Sequence, residues 1–84
     1  MRMSDARAGA YFTVVKVCAG GEVGKRLADM GFTEGAAGQV VRGGFLRGPY
    51  HVRIRGYDLL LRRSEAAGVE IEEAETGAGR AASE

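Results

Sequence analysis

The stretch Arg26-Leu27-Ala28-Asp29-Met30-Gly31-Phe32-Thr33-Glu34-Gly35 constrains the fold of this chain most strongly. Just before and within it, Val23, Leu27 and Met30 recur at i, i+4 and i+7, while Lys25, Arg26 and Asp29 take the other sides. That spacing predicts an amphipathic helix of two to three turns. Gly31 follows where the helix needs a left-handed residue to satisfy its last carbonyls, and Phe32 can fold back onto the apolar stripe. Gly35 turns the chain again, towards a strand at about Gln39 to Arg42. A helix is thereby confined to one short insertion, and the remaining structure must come from short strands.

The strands are legible one by one. Tyr11 to Cys18 is dense in aromatic and β-branched residues and stops at Gly20-Gly21. Tyr50 to Arg55 alternates, with Tyr50, Val52 and Ile54 on one face and His51, Arg53 and Arg55 on the other, as in a half-buried antiparallel strand. Gly56-Tyr57-Asp58 reads as a turn into Leu59-Leu60-Leu61-Arg62, with Leu59 and Leu61 inward and Leu60 outward. Ser64 is a candidate N-cap and Glu65 suits the first turn of a short helical turn ended by Gly68, before a closing strand at Val69 and Ile71. The expected fold is mainly β, a small barrel of about five strands closed on itself, with one inserted short helix and a helical turn before the last strand. Residues 1–10 and 76–84, rich in Ala, Gly, Ser and charge, are expected to be a flexible N-terminus and a disordered C-terminal tail around a domain at 11–75.

Composition excludes several kinds of chemistry. A chain of 84 residues buries only about 60 to 65% of its unfolded surface, too little for a large enclosed catalytic cavity. Cys18 is the only cysteine and His51 the only histidine, so no intramolecular disulfide and no ordinary Cys/His zinc site can form within one chain. No run reaches the roughly 20 apolar residues that cross a bilayer, and the first residues lack the apolar core of a signal peptide, so a cytoplasmic protein is expected. Gly20-Gly21-Glu22-Val23-Gly24-Lys25 lacks the spacing and the hydroxyl of a phosphate-binding loop. Ser64 has no paired base. No catalytic constellation is present, and no enzymatic activity is expected.

Charge is unevenly placed. Between Val40 and Arg63 six arginines, Arg42, Arg47, Arg53, Arg55, Arg62 and Arg63, face the single acid Asp58. Such a segment suits an acidic protein surface or a nucleic-acid phosphate, or simply keeps one sheet face wet. The loop Gly43-Gly44-Phe45-Leu46-Arg47-Gly48-Pro49 displays two large apolar residues near its tip.

Taken in order, Arg26-Leu27-Ala28-Asp29-Met30-Gly31-Phe32, Gly35, Gly48-Pro49, Val52-Arg53-Ile54-Arg55-Gly56, Leu61-Arg62, Glu65-Ala66 and Val69-Glu70-Ile71 resemble the FeoA family of bacterial ferrous iron transport proteins. The match runs from about Tyr11 to Glu72. The resemblance implies an SH3-like β-barrel and a non-enzymatic cytoplasmic accessory of the large membrane ferrous iron transporter, whose N-terminal part is a GTPase. The partner-binding candidates are Phe45, Leu46, Arg47 and Leu60, with Arg53 and Arg55 as an electrostatic rim. Where the family often has a proline and paired glycines, this chain carries Phe45 and Arg47, which makes the loop bulkier. The alternatives are a nucleic-acid-binding barrel that uses the arginine face, and a direct Fe²⁺-binding regulatory module. No cofactor and no defined metal site is expected. Cys18 and His51 are the two weak metal candidates, and weak homo-oligomerisation stays open.

Overall fold

The computed structural model describes residues 1–43 and 48–74. A 3-10 turn at Met3–Asp5 leads into β1 (Tyr11–Val17), α1 (Gly21–Asp29), β2 (Ala37–Arg42), β3 (Tyr50–Ile54), β4 (Tyr57–Leu61), α2 (Arg63–Ala67) and β5 (Val69–Ala74). All strand pairings are antiparallel, in the order β4-β3-β2-β1-β5. The architecture is mainly β, with five strands and one short inserted helix, as expected. It is not a closed barrel: β4 and β5 are the two ends of the hydrogen-bonded sheet, and no ladder joins them.

The first ten residues are part of the body and not a flexible end. Met3 is fully buried and Ala6 nearly so. The Tyr50 hydroxyl donates to the Ser4 carbonyl at 2.8 Å. The Ile71 N–H donates to the Met1 carbonyl at 2.7 Å, and Arg2 forms an antiparallel bridge with Glu70, so these residues cover the outer edge of β5. A lone methionine in a polar stretch has no periodic signature, and its burial is decided by the tertiary fold. Glu75 and the expected tail at 76–84 lie outside the described residues.

The core is one cluster in which Phe12, Val14, Leu27, Phe32, Val40, Val52, Ile54, Leu61, Val69 and Ile71 are all buried. The alternation expected along β3 is present, with Tyr50, Val52 and Ile54 inside. In β4, Leu61 is buried and Leu60 exposed, while Leu59 is half-buried. Gly38 lets β2 pass close to the core, because a Cβ there would meet the Arg53 carbonyl oxygen and the ring of Phe12.

Helix α1 ends as its sequence dictates. Gly31 has φ +107°, the Phe32 N–H donates to the Leu27 carbonyl at 3.0 Å and the Gly31 N–H to the Ala28 carbonyl at 3.0 Å. This is the paired 6→1 and 5→2 closure that a left-handed glycine permits. Leu27 and Phe32 are buried, but Val23, expected in the same stripe, is exposed. Helix α1 therefore enters the core through Leu27, with Met30 behind it half-buried, while Gly21, Glu22 and Val23 at its start are exposed. Helix α2 also departs from expectation. Its N-cap is Arg62, not Ser64, and the Glu65 carboxylate at the third helical position accepts the Arg62 N–H at 2.9 Å.

Candidate functional site

The hairpin of β3 and β4 carries most of the described candidates. Ile54 pairs with Tyr57, so the turn consists of Arg55 and Gly56, with φ of +52° and +85°. Positive φ at both central residues marks the hairpin turn whose twist matches the flanking strands. The sequence suggests a turn at Gly56-Tyr57-Asp58 because glycine and aspartate are the usual turn formers. Placing the turn one residue earlier takes Arg55 off the strand face.

Arg55 instead reaches the end of α1, donating from Nε to the Gly31 carbonyl at 3.3 Å and from Nη2 to Thr33 Oγ1 at 2.9 Å. A cation at a helix C-terminus is favourable, since the last carbonyls carry partial negative charge. Arg55 thus holds the hairpin tip against the helix stop and does not join Arg53 in a rim.

On the outward face, His51 stands opposite Leu60 and Arg53 opposite Asp58. Asp58 Oδ1 accepts from Arg53 Nε at 2.9 Å and lies 3.3 Å from His51 Nε2. Leu60 beside them is 64% exposed and Tyr57 at the hairpin tip 69% exposed. The arginine-rich face is therefore partly neutralised, and its centre combines an ion-paired cluster with an exposed leucine. From the sequence Tyr57 reads as a turn residue, and as a stacking contact only under the nucleic-acid alternative. Phe45, Leu46 and Arg47 lie outside the described residues.

The Arg53 guanidinium, with a smaller contribution from His51, holds the Asp58 carboxyl below its ordinary value, against a weaker opposing effect of desolvation. A depressed carboxylate contributes stability above its unfolded pKa and loses it as pH falls through the folded one. An NMR titration of Asp58 is expected to show a midpoint below the ordinary aspartate value, and Arg53→Ala to move it upward. A midpoint unchanged by that substitution contradicts the assignment. The group is exposed, so the effect on global stability is small.

The two metal candidates are not brought together. His51 sits on β3 against Asp58 of β4, whereas the Cys18 N–H donates to the Gly68 carbonyl at 2.7 Å, beside β5. Cys18 is exposed in a shallow depression that it shares with Lys16, Arg2 and Glu70; the two cations oppose a bound metal ion, and the Glu70 carboxylate is already paired with the N-terminal ammonium. Among the described residues, no three His, Cys, Asp or Glu side chains cluster closely enough to hold a metal. Among them, too, no helix is long and apolar enough to cross a membrane.

One contact escapes linear reasoning altogether. Arg26 Nη1 donates to Glu65 Oε2 at 2.5 Å, tying α1 to α2 across 39 positions of sequence, and Glu65 is the one buried charged residue among those described. The helical pattern assigned Arg26 to a solvent side. The Arg62-x-x-Glu65 spacing could have indicated the carboxylate's role at the helix start, but nothing linear indicates its partner.

Comparison with known proteins places this arrangement. The profile of the FeoA domain matches residues 1–73. A Porphyromonas gingivalis protein, an Fe(2+) transport protein A/Fe(2+) transporter FeoB fusion, is 39% identical over 72 residues, covering 86% of this chain but only 8% of that protein. The solution structure of a FeoA protein from Chlorobium tepidum superposes with a TM-score of 0.79 at 36% identity, covering 87% of this chain and 70% of that one. The Stenotrophomonas maltophilia FeoA, crystallised with zinc and described as a prokaryotic SH3 domain protein, gives 0.77 at 28% identity, over 86% of this chain and 89% of that one. The open five-stranded sheet is thus the SH3-like fold, and the chain belongs to the FeoA family.

Proposed function

We propose that this domain is a non-enzymatic module of ferrous iron transport that docks on the cytoplasmic, GTPase-containing region of the membrane ferrous iron transporter and modulates it. The observation that carries this reading is the fusion in Porphyromonas gingivalis, where a domain 39% identical to this chain is joined to the FeoB transporter. Covalent linkage raises the effective concentration of two parts that act together. The contact surface is the exposed Leu60 with the adjoining His51 and Arg53; Phe45, Leu46 and Arg47, the other proposed partner-binding residues, lie outside the described residues. Leu60 supplies the apolar anchor, and the ion-paired residues around it form a polar rim. The mechanism is a population shift: the domain binds one conformation of the transporter better than another and biases it accordingly. The protein acts in the cytoplasm, recruited to the inner face of the membrane by this contact.

A nucleic-acid role is less well supported, because Arg53 is paired to Asp58 and Arg55 to the end of α1. A direct metal-sensing role has no converging ligands among the described residues.

Leu60→Asp is expected to leave the fold intact, since Leu60 is outside the core, and to weaken capture of the transporter's cytoplasmic region by about tenfold or more, the loss of one apolar anchor. Undiminished capture by a folded Leu60→Asp protein removes this face from the proposal.

A further inference from the structure

The two ends of the sheet are treated differently. The outer edge of β5 is covered by Met1 and Arg2, whereas among the described residues no strand pairs with the outer edge of β4. An uncovered edge presents a row of backbone donors and acceptors that templates another strand. Natural edges are commonly guarded by lysine, proline or a bulge, and β4, Tyr57-Asp58-Leu59-Leu60-Leu61, has none of these.

The hairpin settles which backbone groups face outward. With a two-residue turn, Ile54 and Tyr57 form the closing hydrogen-bonded pair, so Tyr57, Leu59 and Leu61 bond to β3. Asp58 and Leu60 then turn their N–H and C=O groups to the free side, and Arg62, still extended at φ −72° and ψ 156°, continues the row. The side chains of Asp58, Leu60 and Arg62 also share the outward face of the sheet, because they alternate with the inward set.

Reversed, this row of acid, leucine and base becomes base, leucine and acid, so an antiparallel copy sets each charge opposite its complement. We propose that the free edge of β4 takes a second copy of β4, antiparallel about a twofold axis at Leu60, to make one continuous ten-stranded sheet across a dimer. Leu60 then meets Leu60 of the second copy, burying the most exposed leucine among the described residues. Asp58 stands opposite Arg62 of the second copy, and Arg62 opposite its Asp58. Oppositely charged residues directly across an antiparallel pair are favourable, and like charges are not.

The registers centred on Asp58 and on Leu59 are worse. Centring on Asp58 sets two carboxylates face to face. Centring on Leu59 places each Asp58 against a leucine and each Arg62 against Gly56. Both existing contacts of Asp58 fall on Oδ1, so Oδ2 remains to accept from the incoming arginine. Among the described residues Arg62 takes part in no ion pair. An interface of five-residue strands is small, and the association is a reversible one in the weak range. The inference stands independently of the transporter reading.

Sedimentation equilibrium of the full 84-residue chain, with circular dichroism to confirm folding, tests it. The expected result is a concentration-dependent dimer, with amide exchange of Asp58 and Leu60 slowed as concentration rises. Leu60→Lys, which sets two ammonium groups on the axis, is expected to weaken the dimer by about tenfold or more. Asp58→Arg and Arg62→Asp are each expected to weaken it by about tenfold, and the double swap to restore it to within about threefold. A wild-type chain that stays monomeric at millimolar concentration overturns the proposal, as does a dimer indifferent to Leu60→Lys. A double swap that remains as weak as the single variants overturns the register.

Discussion

Gly38→Ala is expected to lower stability by about 3 kcal/mol, at the upper end for overpacking a core, because neither obstacle can yield. The added methyl group meets the Arg53 carbonyl oxygen, which belongs to the backbone of the paired strand β3, and lies 2.7 Å from the Phe12 ring, which is fully buried. Relief requires separating β2 from β3 or displacing an aromatic anchor of the core. For a domain of this size such a loss lowers the melting temperature by about 12 to 24 °C, at roughly 4–8 °C for each kcal/mol. Gly20→Ala is the control. Its Cβ would meet nothing within 4 Å and its φ is negative, so only glycine's advantage over alanine as an N-cap is lost and the change is expected to stay within about 1 kcal/mol. Equal melting temperatures for the two variants contradict the close approach at Gly38.

Glu65→Ala is expected to have an effect of similar size. The carboxylate is buried and serves two partners, the Arg62 N–H at the start of α2 and the Arg26 guanidinium on α1. Losing the contact at the helix start costs about 0.5–2 kcal/mol, and losing a hydrogen bond between charged groups about 1.5–3 kcal/mol. Because the Arg26 side chain is 56% exposed, solvent screens part of the pair, and a total of about 3 kcal/mol is expected. Glu65→Gln keeps the shape and one acceptor, and is expected to cost less. A double-mutant cycle with Arg26→Met isolates the tie between the helices, with an expected coupling of about 1 kcal/mol or more, and additive losses contradict the tie.

These two positions show what linear reading recovers and what it leaves out. Helix α1 stopped where its sequence said because a glycine C-cap is a local device, complete within Leu27 to Phe32. The inward set of β3 was legible for the same reason: alternation is a property of six consecutive residues. Arg26 and Glu65 could be seen as individual residues, yet their pairing depends on how α1 and α2 pack, which no spacing encodes. Val23 was misplaced because a 3.6-residue period identifies a face without saying how far along it the core extends. Met3 was missed because its burial rests on α2 and β5 folding over it.

The candidate face was legible in part. Leu60 as an outward leucine followed from alternation. The neutralisation of Arg53 by Asp58 depended on hairpin register, and a turn placed one residue too late hid it and put Arg55 on the wrong surface. A non-glycine residue with positive φ at Arg55 goes against local preference, and its contacts with Gly31 and Thr33 offset that cost. Leu60 also links the two proposals: a dimer through β4 covers the leucine offered to the transporter, so the two associations are expected to compete.

The central claim is that this domain binds one state of the transporter's cytoplasmic region in preference to another. Calorimetric titration of that region, once bound to GDP and once to a non-hydrolysable GTP analogue, measures the difference directly. The account predicts binding in both states with affinities that differ by about fivefold or more, the lower end of ordinary allosteric coupling. Equal affinities contradict the population shift, and no binding in either state contradicts the docking itself.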